Sequence, residues 1–286
     1  MTDYVIAETL GQALDFLGRR NARVIAGGTD LMIHLRPARA TLQGLPGTLV
    51  DVTRLPELNR FEPDGSSPYL GATITFRRLE TDPQVAKLFP VLAQAASTVG
   101  SLQIRQMATI GGNVANASPA ADGMTALTAL GAMVEIASPN GVREILLEDL
   151  IKGPNVTDLQ PGELILGFRL SPTPDSNRQA FQKVGRRRAV VIARMNAAVC
   201  LDQDLSDPRV VLGACFPSPR RLKDVETMIS AGTPGRELWD QAGKMAADQF
   251  VNVCGWRSSA PYKVPAVTRV ISRALETAWN RTGGNA

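Results

Sequence analysis

The spacing of apolar and polar residues predicts a chain of many short helices and strands. After Thr9, apolar residues recur at helical spacing, and Gln12 stands three residues further on, as in a capping box. Short apolar runs bounded by Gly, Pro, Asn and Asp follow, which is typical of strands that end in turns. In the first two thirds of the chain the pattern predicts strands at 23–26, 48–52, 69–72, 133–137, 142–147 and 164–170, and helices that include 31–36, 91–99 and 124–132.

The last third of the chain has a different pattern. It predicts three strands followed by three helices, at 180–184, 195–201 and 209–216 and then at 222–231, 237–251 and about 266–279. The run of Ser, Pro, Asp and Asn at 171–177 is the clearest boundary in the chain, and segment 54–68 is interpreted as a connection between two lobes. The pattern therefore predicts an α+β protein that divides near residue 175.

Two stretches share one local pattern, in which an apolar run leads into a glycine pair and then into short polar side chains. They are Val24-Ile25-Ala26-Gly27-Gly28-Thr29-Asp30-Leu31 and the run from Thr109-Ile110-Gly111-Gly112-Asn113 to Asp122. Adjacent glycines leave backbone N–H groups open to a bulky anion. An ordinary tight turn explains either stretch alone, but the repetition predicts two loops that face one long, phosphate-containing cofactor. Neither loop matches the phosphate loop of NTPases or the Rossmann fingerprint.

Composition and charge narrow the class of protein. The chain has 286 residues, of which 44% are apolar and 20% charged, as in a globular protein of two or three lobes. Its net charge of +4 is too small and too dispersed to indicate nucleic-acid binding. Cys200, Cys215 and Cys254 include no C-x-x-C pair, so we predict free thiols rather than disulfides, zinc or a cluster. No secretory signal or membrane-spanning run is visible, and we expect a cytoplasmic protein.

Side chains that usually carry acid–base or nucleophilic catalysis are scarce. The single histidine, His34, follows the first glycine loop, and there is no G-x-S-x-G nucleophile elbow. His34 is interpreted as a solvated or capping side chain, or as a contact to a cofactor or partner. Asp30 and Asp122 are interpreted as acceptors for ribose hydroxyls or loop N–H groups. The basic run 183–188 is either a solvated strand edge or a contact to pyrophosphate or a neighbouring subunit, and Lys183 is its most informative residue.

The two glycine loops, together with Gln103-Ile104-Arg105 ahead of the second, resemble the FAD-binding subunit of the xanthine dehydrogenase / carbon monoxide dehydrogenase family of molybdenum hydroxylases. The resemblance extends over essentially the whole chain and includes segment 257–263 near its end. It implies a two-lobed FAD-binding domain of the vanillyl-alcohol oxidase-like type at 1–175, with lobes of about 1–55 and 56–175. A flavoprotein C-terminal domain at 178–286 is implied to hold a three-stranded antiparallel sheet and helices.

By position, the resemblance also implies which residues bind the cofactor. It predicts non-covalent FAD, held by Val24, Ile25, Ala26, Gly27, Gly28, Thr29, Asp30, Leu31, Thr109, Ile110, Gly111, Gly112, Asn113, Asp122, Ile165 and Lys183. Val99 stands at a position that is aromatic and near the flavin in some relatives, so ring stacking there is not expected. The segment after 186–188 lacks the acidic residues that NAD-using relatives tend to carry.

The function implied by the resemblance is electron transfer within a complex. This chain would take electrons from two [2Fe-2S] clusters on a small subunit and pass them to an external acceptor. A large subunit would hold molybdopterin and hydroxylate the substrate, in a dimer of heterotrimers. Because FAD supplies the redox chemistry, this chain is predicted to have no catalytic side chain and no metal ligand of its own. A stand-alone flavin oxidase of the vanillyl-alcohol oxidase type and a scaffold that has lost its cofactor stay open as alternatives.

Overall fold

The structure is a computed structural model that shows a mixed α/β fold with several sheets. It describes residues 2–35, 45–65, 67–171, 178–187 and 190–281. The predicted boundary at 171–177 lies outside the described residues except for Ser171. The last residue of the predicted helix 31–36 and the last residue of the basic run 183–188 also lie outside them. Within the described ranges, none of the helices combines the length and apolar character that a membrane crossing requires.

The first lobe is a small parallel sheet with a helix on it. Strands β1 (Asp3–Ile6), β2 (Ala22–Ile25) and β3 (Thr48–Asp51) lie in the order β1-β3-β2. Helix α1 (Leu10–Leu17) connects β1 to β2 and begins at Thr9, whose hydroxyl accepts the N–H of residue 12 as predicted. Strand β1 was missed because it is short, lies at the sheet edge and is mostly exposed. Residues 31–35 form helix α2, directly after the first glycine loop.

The second lobe is a five-stranded antiparallel sheet covered by short helices. Its strands, in spatial order, are β4 (Phe61–Glu62), β5 (Tyr69–Gly71), β10 (Leu164–Arg169), β6 (Met133–Ser138) and β7 (Gly141–Leu146). A separate pair is formed by β8 (Ile151–Gly153) and β9 (Val156–Thr157). The helices are α3 (Phe76–Thr81), α4 (Pro83–Leu88), α5 (Pro90–Ser97), α6 (Leu102–Met107), α7 (Ile110–Asn116), α8 (Asp122–Ala129) and α9 (Leu147–Leu150). The predicted hairpin 133–147 is present as β6 and β7.

The second glycine loop differs in local structure from the prediction. A strand end followed by a tight turn was expected, but helix α6 precedes the loop and the glycine pair lies in the first turn of α7. The reason is capping. Ser101 accepts the N–H of Ile104 at 3.3 Å, and Thr109 accepts that of Gly112 at 3.2 Å, so two hydroxyls begin two short helices in close succession.

The C-terminal part contains a sheet with two long helices. Its strands, β11 (Arg178–Val184), β12 (Met195–Leu201), β13 (Arg209–Gly213) and β14 (Arg220–Arg221), are antiparallel in chain order. The prediction of three strands was wrong by one, because the two-residue β14 is too short to show an alternating pattern. Three helices follow: α10 (Lys223–Ser230), α11 (Arg236–Cys254) and α12 (Ala260–Asn280). Helix α12 begins earlier than predicted because Pro261 fits its first turn.

The C-terminal sheet is buried on both faces and so joins two hydrophobic cores. Along β12, Ala198 belongs to the core of the first two lobes, whereas its neighbours Ala197 and Val199 belong to the core under α11 and α12. Successive side chains of a strand point to opposite faces, so one strand serves both cores. Helix α8 is buried at every residue, and it packs between α5 and strands β12 and β13. Its small side chains make this packing possible.

Candidate cofactor-binding site

A cleft of about 630 Å³ runs between the two glycine loops. Its walls come from the first lobe, the second lobe and the C-terminal sheet. All the predicted site residues line it except Ile25 and Ile110; the lining members are Val24, Ala26, Gly27, Gly28, Thr29, Asp30, Leu31, Thr109, Gly111, Gly112, Asn113, Asp122, Ile165 and Lys183. Ile110 is completely buried, and the side chain of Ile25 packs beneath Gly28. His34 lies exposed at the rim, and Val99 lies on the wall.

The first glycine loop lines the cleft with residues whose backbone N–H groups have no partner in the part of the chain that the structure describes. Gly28 has φ +67°, a left-handed conformation that turns the chain from β2 towards α2. Glycine adopts this conformation at little cost, whereas other residues are strained in it. Among the described residues, the N–H groups of 28–31 have no hydrogen-bond partner. The carbonyls of Gly28 and Asp30 accept bonds from the turn of α2 that follows. Free N–H groups at a helix start suit an anionic group such as a phosphate.

Gly27 has a different role from Gly28, because it lets the two loops touch. A Cβ at Gly27 would lie 1.8 Å from the carbonyl oxygen of Met107, at the end of α6. Without a side chain, the first loop packs directly on the peptide that leads into the second loop. Both glycines were predicted to open the backbone to a ligand, but for Gly27 the structure gives contact between the loops as the reason.

The second loop does not offer free N–H groups at the start of its helix. Ile110 donates to the carbonyl of Ile74 at 3.0 Å, Gly111 donates to Ala72 at 2.8 Å, and Gly112 donates to its own cap. Gly111 also packs closely on the turn that follows β5, since a Cβ there would lie 2.6 Å from that of Ala72. The expectation that both loops supply amide donors is therefore wrong for these three residues, whose donors are used within the protein.

The second loop and its neighbours offer polar side chains instead. Two buried oxygen atoms in residues that line the cleft, Oδ1 of Asn113 and Oγ1 of Thr73, have no hydrogen-bond partner among the described residues. Buried polar atoms are usually paired, and an unpaired one calls for an explanation such as a missing ligand or water. Thr73 was not predicted as a site residue, because a single threonine after a short strand gives no signal in the sequence.

A buried ion pair lies at the floor of the cleft. Nζ of Lys183 lies 2.5 Å from Oδ2 of Asp122 and donates a second bond to the carbonyl of Thr98 at 3.0 Å. The third N–H of Lys183 has no partner among the described residues. Burial raises the pKa of Asp122, while Lys183 and the hydrogen bonds from Asn196 and Thr98 oppose that shift. Lys183 is thus not part of a solvated strand edge, as one interpretation of the basic run held.

Arg105 fixes the wall that contains Val99. It pairs with Glu80 at 2.9 Å and donates to the carbonyls of Val99 and Gly100. Burial acts to raise the pKa of Glu80, but hydrogen bonds from Arg105 and Arg77 outweigh it and hold that pKa below its ordinary value. The Gln-Ile-Arg segment ahead of the second loop therefore shapes the cleft through an ion pair in the protein.

The described ranges contain no cluster of metal ligands, and burial keeps two of the three cysteine thiols protonated. All three cysteines are free; burial raises the pKa of the Cys200 thiol to about 12 and that of Cys215 to about 11, which keeps both protonated and unreactive near neutral pH. The described residues also contain no group of His, Cys, Asp or Glu that could hold a metal ion. The geometry thus defines the class of protein as one that binds an elongated, phosphate-containing molecule in a preformed cleft.

Comparison with known proteins identifies the family. The model of the FAD-binding domain in molybdopterin dehydrogenase matches residues 1–173. The chain belongs to this family. It is 30% identical to the glyceraldehyde dehydrogenase medium chain of Sulfolobus acidocaldarius over 278 residues, which cover 96% of each chain. It is 29% identical to the nicotine 6-hydroxylase medium subunit of Paenarthrobacter nicotinovorans over 283 residues, which cover 98% of each.

Solved structures agree with the sequence comparison. The fold matches a chain of the carbon monoxide dehydrogenase from Hydrogenophaga pseudoflava that lacks the Mo-pyranopterin moiety of the molybdenum cofactor, with a TM-score of 0.88 and 26% identity. The match covers 98% of both chains. The relatives are thus similar to this chain along its whole length, including the C-terminal sheet and helices.

Proposed function

We propose that this chain is the FAD-carrying electron-transfer subunit of a molybdenum hydroxylase complex. The single observation that carries the proposal is a cleft bounded by both glycine loops in a chain of the FAD-binding family. When bound, FAD would supply the redox chemistry, accepting electrons and passing them to an external acceptor. A stand-alone oxidase is not favoured, because the relatives are named as medium chains or subunits.

The residues present fit an FAD molecule. The N–H groups of 28–31, which have no partner among the described residues, would hold the diphosphate, because helix-start amides bind phosphate without a counter-charge. Asn113 and Thr73, whose buried oxygens have no partner among the described residues, line the opposite wall and would add polar contacts there. The third N–H of Lys183, fixed by Asp122, would donate at the cleft floor. The apolar lining residues Val24, Ala26 and Ile165 would exclude water and orient the cofactor.

The domain organisation forms part of the proposal. The FAD-binding domain would occupy 1–175, as two lobes of about 1–55 and 56–175 of the vanillyl-alcohol oxidase-like type, and the flavoprotein C-terminal domain would occupy 178–286. Support comes from the two hydrophobic cores and from the family match, which ends at residue 173.

The partners are proposed from the relatives and the chemistry. A small subunit with two [2Fe-2S] clusters would deliver electrons, and a large molybdopterin subunit would oxidise the substrate, in a dimer of heterotrimers. Two similar chains are the medium chain of a glyceraldehyde dehydrogenase and the medium subunit of a nicotine 6-hydroxylase. Because similar medium subunits occur in enzymes that act on such different substrates, this subunit would not select the substrate. The free thiols support a reducing, cytoplasmic location.

FAD titration of the purified chain tests the proposal, with two glycine variants as a matched pair. Gly28 and Gly141 both have positive φ, and an added Cβ meets no atom closer than 3.4 Å at the first and none within 4 Å at the second. Each Gly→Ala change should lower the melting temperature, because a positive φ is strained for alanine; at Gly28, in the left-handed α region, the cost is about 1–2 kcal/mol. Only Gly28→Ala should weaken FAD binding. A wild-type chain that neither contains flavin nor binds added FAD would overturn the proposal.

A further inference from the structure

Asp122 has a second hydrogen-bond partner that no pattern in the sequence predicts. Nδ2 of Asn196, on β12, donates to Oδ1 of Asp122 at 2.7 Å, on the side opposite Lys183. Oδ1 of Asn196 in turn lies 3.0 Å from the hydroxyl of Thr125, one turn further along α8. Asn196 and Thr125 are both completely buried. The carboxylate at the cleft floor is therefore linked through two polar side chains to the C-terminal sheet.

The neighbouring strand leaves room for this arrangement. Gly213, on β13, pairs with Asn196 across the sheet. A Cβ on Gly213 would lie 2.2 Å from Oδ1 of Asn196 and 2.3 Å from Oγ1 of Thr125. Three elements, α8, β12 and β13, thus meet at one buried amide. Packing this tight leaves the amide a single position.

The chemistry also fixes which way the amide of Asn196 points. An ionised carboxylate is only an acceptor, so the NH₂ group must face Asp122 and the carbonyl must face Thr125. Among the described residues, Lys183 from β11 is the one charged group that bonds to Asp122, and Thr98 after α5 adds a neutral hydroxyl at 3.4 Å. Asn196 is the donor to Oδ1, which Lys183 does not contact.

We propose that Asn196, supported by Thr125, is a positioning residue that fixes the Asp122 carboxylate and thereby holds the Lys183 ammonium at the FAD site. The inference rests on the proposed function. Asn196 touches no cleft surface itself and acts only through Asp122. The C-terminal sheet, which lies outside the residues matched by the family model, thus contributes directly to the cofactor site.

Titration of the full-length protein with FAD at several pH values tests this inference. Asn196→Ala removes the donor to Oδ1 and should weaken FAD binding by about tenfold, the lower end for a hydrogen bond to a charged group. The lost donor favours the ionised carboxylate, so its removal raises the pKa of Asp122. The fall in FAD affinity on acidification should therefore begin at a higher pH than in the wild type. A residue that only stabilises the fold would not shift this profile.

Substitutions on α8 provide the controls. Thr125→Val removes the hydroxyl that faces Asn196 and should shift the pH profile in the same direction by a smaller amount, whereas Thr125→Ser should restore wild-type behaviour. Thr128→Val, a buried change one turn on, should affect the melting temperature but neither FAD affinity nor its pH profile. If Asn196→Ala does not fold, Thr125→Val and Thr125→Ser decide the question.

The outcomes separate the two proposals. If wild-type protein binds FAD and the Asn196 and Thr125 variants bind it with the same affinity and pH profile, the positioning role is wrong and the proposed function stands. If the wild type binds no FAD, the proposed function itself fails.

Discussion

Gly27→Ala tests whether contact between the two loops builds the FAD site. The added Cβ would lie 1.8 Å from the carbonyl oxygen of Met107 and 2.5 Å from its carbon. Ordinary contact requires at least 3.4 Å, and the clashing atoms are backbone, which cannot rotate away. The loops must therefore separate by roughly 1.5 Å, on the scale at which misplacement is costly. Gly27 is not among the glycines with positive φ, so the change tests packing without backbone strain.

The magnitude follows from the usual cost of overpacking. Forcing an extra carbon into a well-packed region costs about 1–3 kcal/mol. If the loops move apart, this cost appears as FAD binding that is roughly 5- to 150-fold weaker. Flavin fluorescence titration measures the affinity, and thermal unfolding without FAD measures the loss of stability.

Gly11→Ala is the matched control for this experiment. Gly11 lies inside α1 of the same lobe, and an added Cβ meets no atom within 4 Å. Alanine in a helix interior is favoured over glycine by about 0.5–1 kcal/mol, so the melting temperature should rise and FAD binding should not change. A Gly27→Ala protein that binds FAD as tightly as Gly11→Ala would refute the argument that contact between the loops shapes the site.

Three further predictions concern the walls of the cleft and its connection to the C-terminal sheet. Arg105→Lys should weaken FAD binding more than Arg77→Lys, although both arginines bond to Glu80, because only Arg105 also holds the carbonyls of Val99 and Gly100. The pKa of Glu80 is lowered in the folded protein, so ionised Glu80 stabilises the fold above its unfolded pKa. This stabilisation should be lost as the pH falls through the folded pKa. The difference in melting temperature between wild type and Arg105→Lys should therefore shrink in acid. Gln179→Met should lower stability by about 1–3 kcal/mol in denaturant titration, because the buried Val91 N–H loses its acceptor; unchanged stability would contradict this. Gly213→Ala should reduce FAD affinity, because the added Cβ would displace Asn196 and Thr125 although no polar group is removed. Gly153→Ala, where an added Cβ meets open space, should leave FAD affinity unchanged.

Much of the local structure followed from the sequence because it depends on neighbouring residues. The Thr9 cap, the 133–147 hairpin and the three longer strands of the C-terminal sheet were predicted correctly, since caps, turns and alternating patterns act over a few positions. The paired glycine loops also predicted one shared cleft. Errors arose where short elements carry little pattern, as in β1 and β14.

The use of each hydrogen-bonding group was decided only by the tertiary structure. Gly28 and Gly111 look alike in the sequence, but the donors near Gly28 have no partner among the described residues, whereas Gly111 donates to Ala72 in the turn after β5. Asp122 and Lys183 are 61 positions apart, and their pairing depends on how β11 packs beside α8. Whether a donor is free or occupied depends on which remote segment folds against it. A local pattern can therefore mark the loops of a site, but not which of their atoms remain available for a ligand.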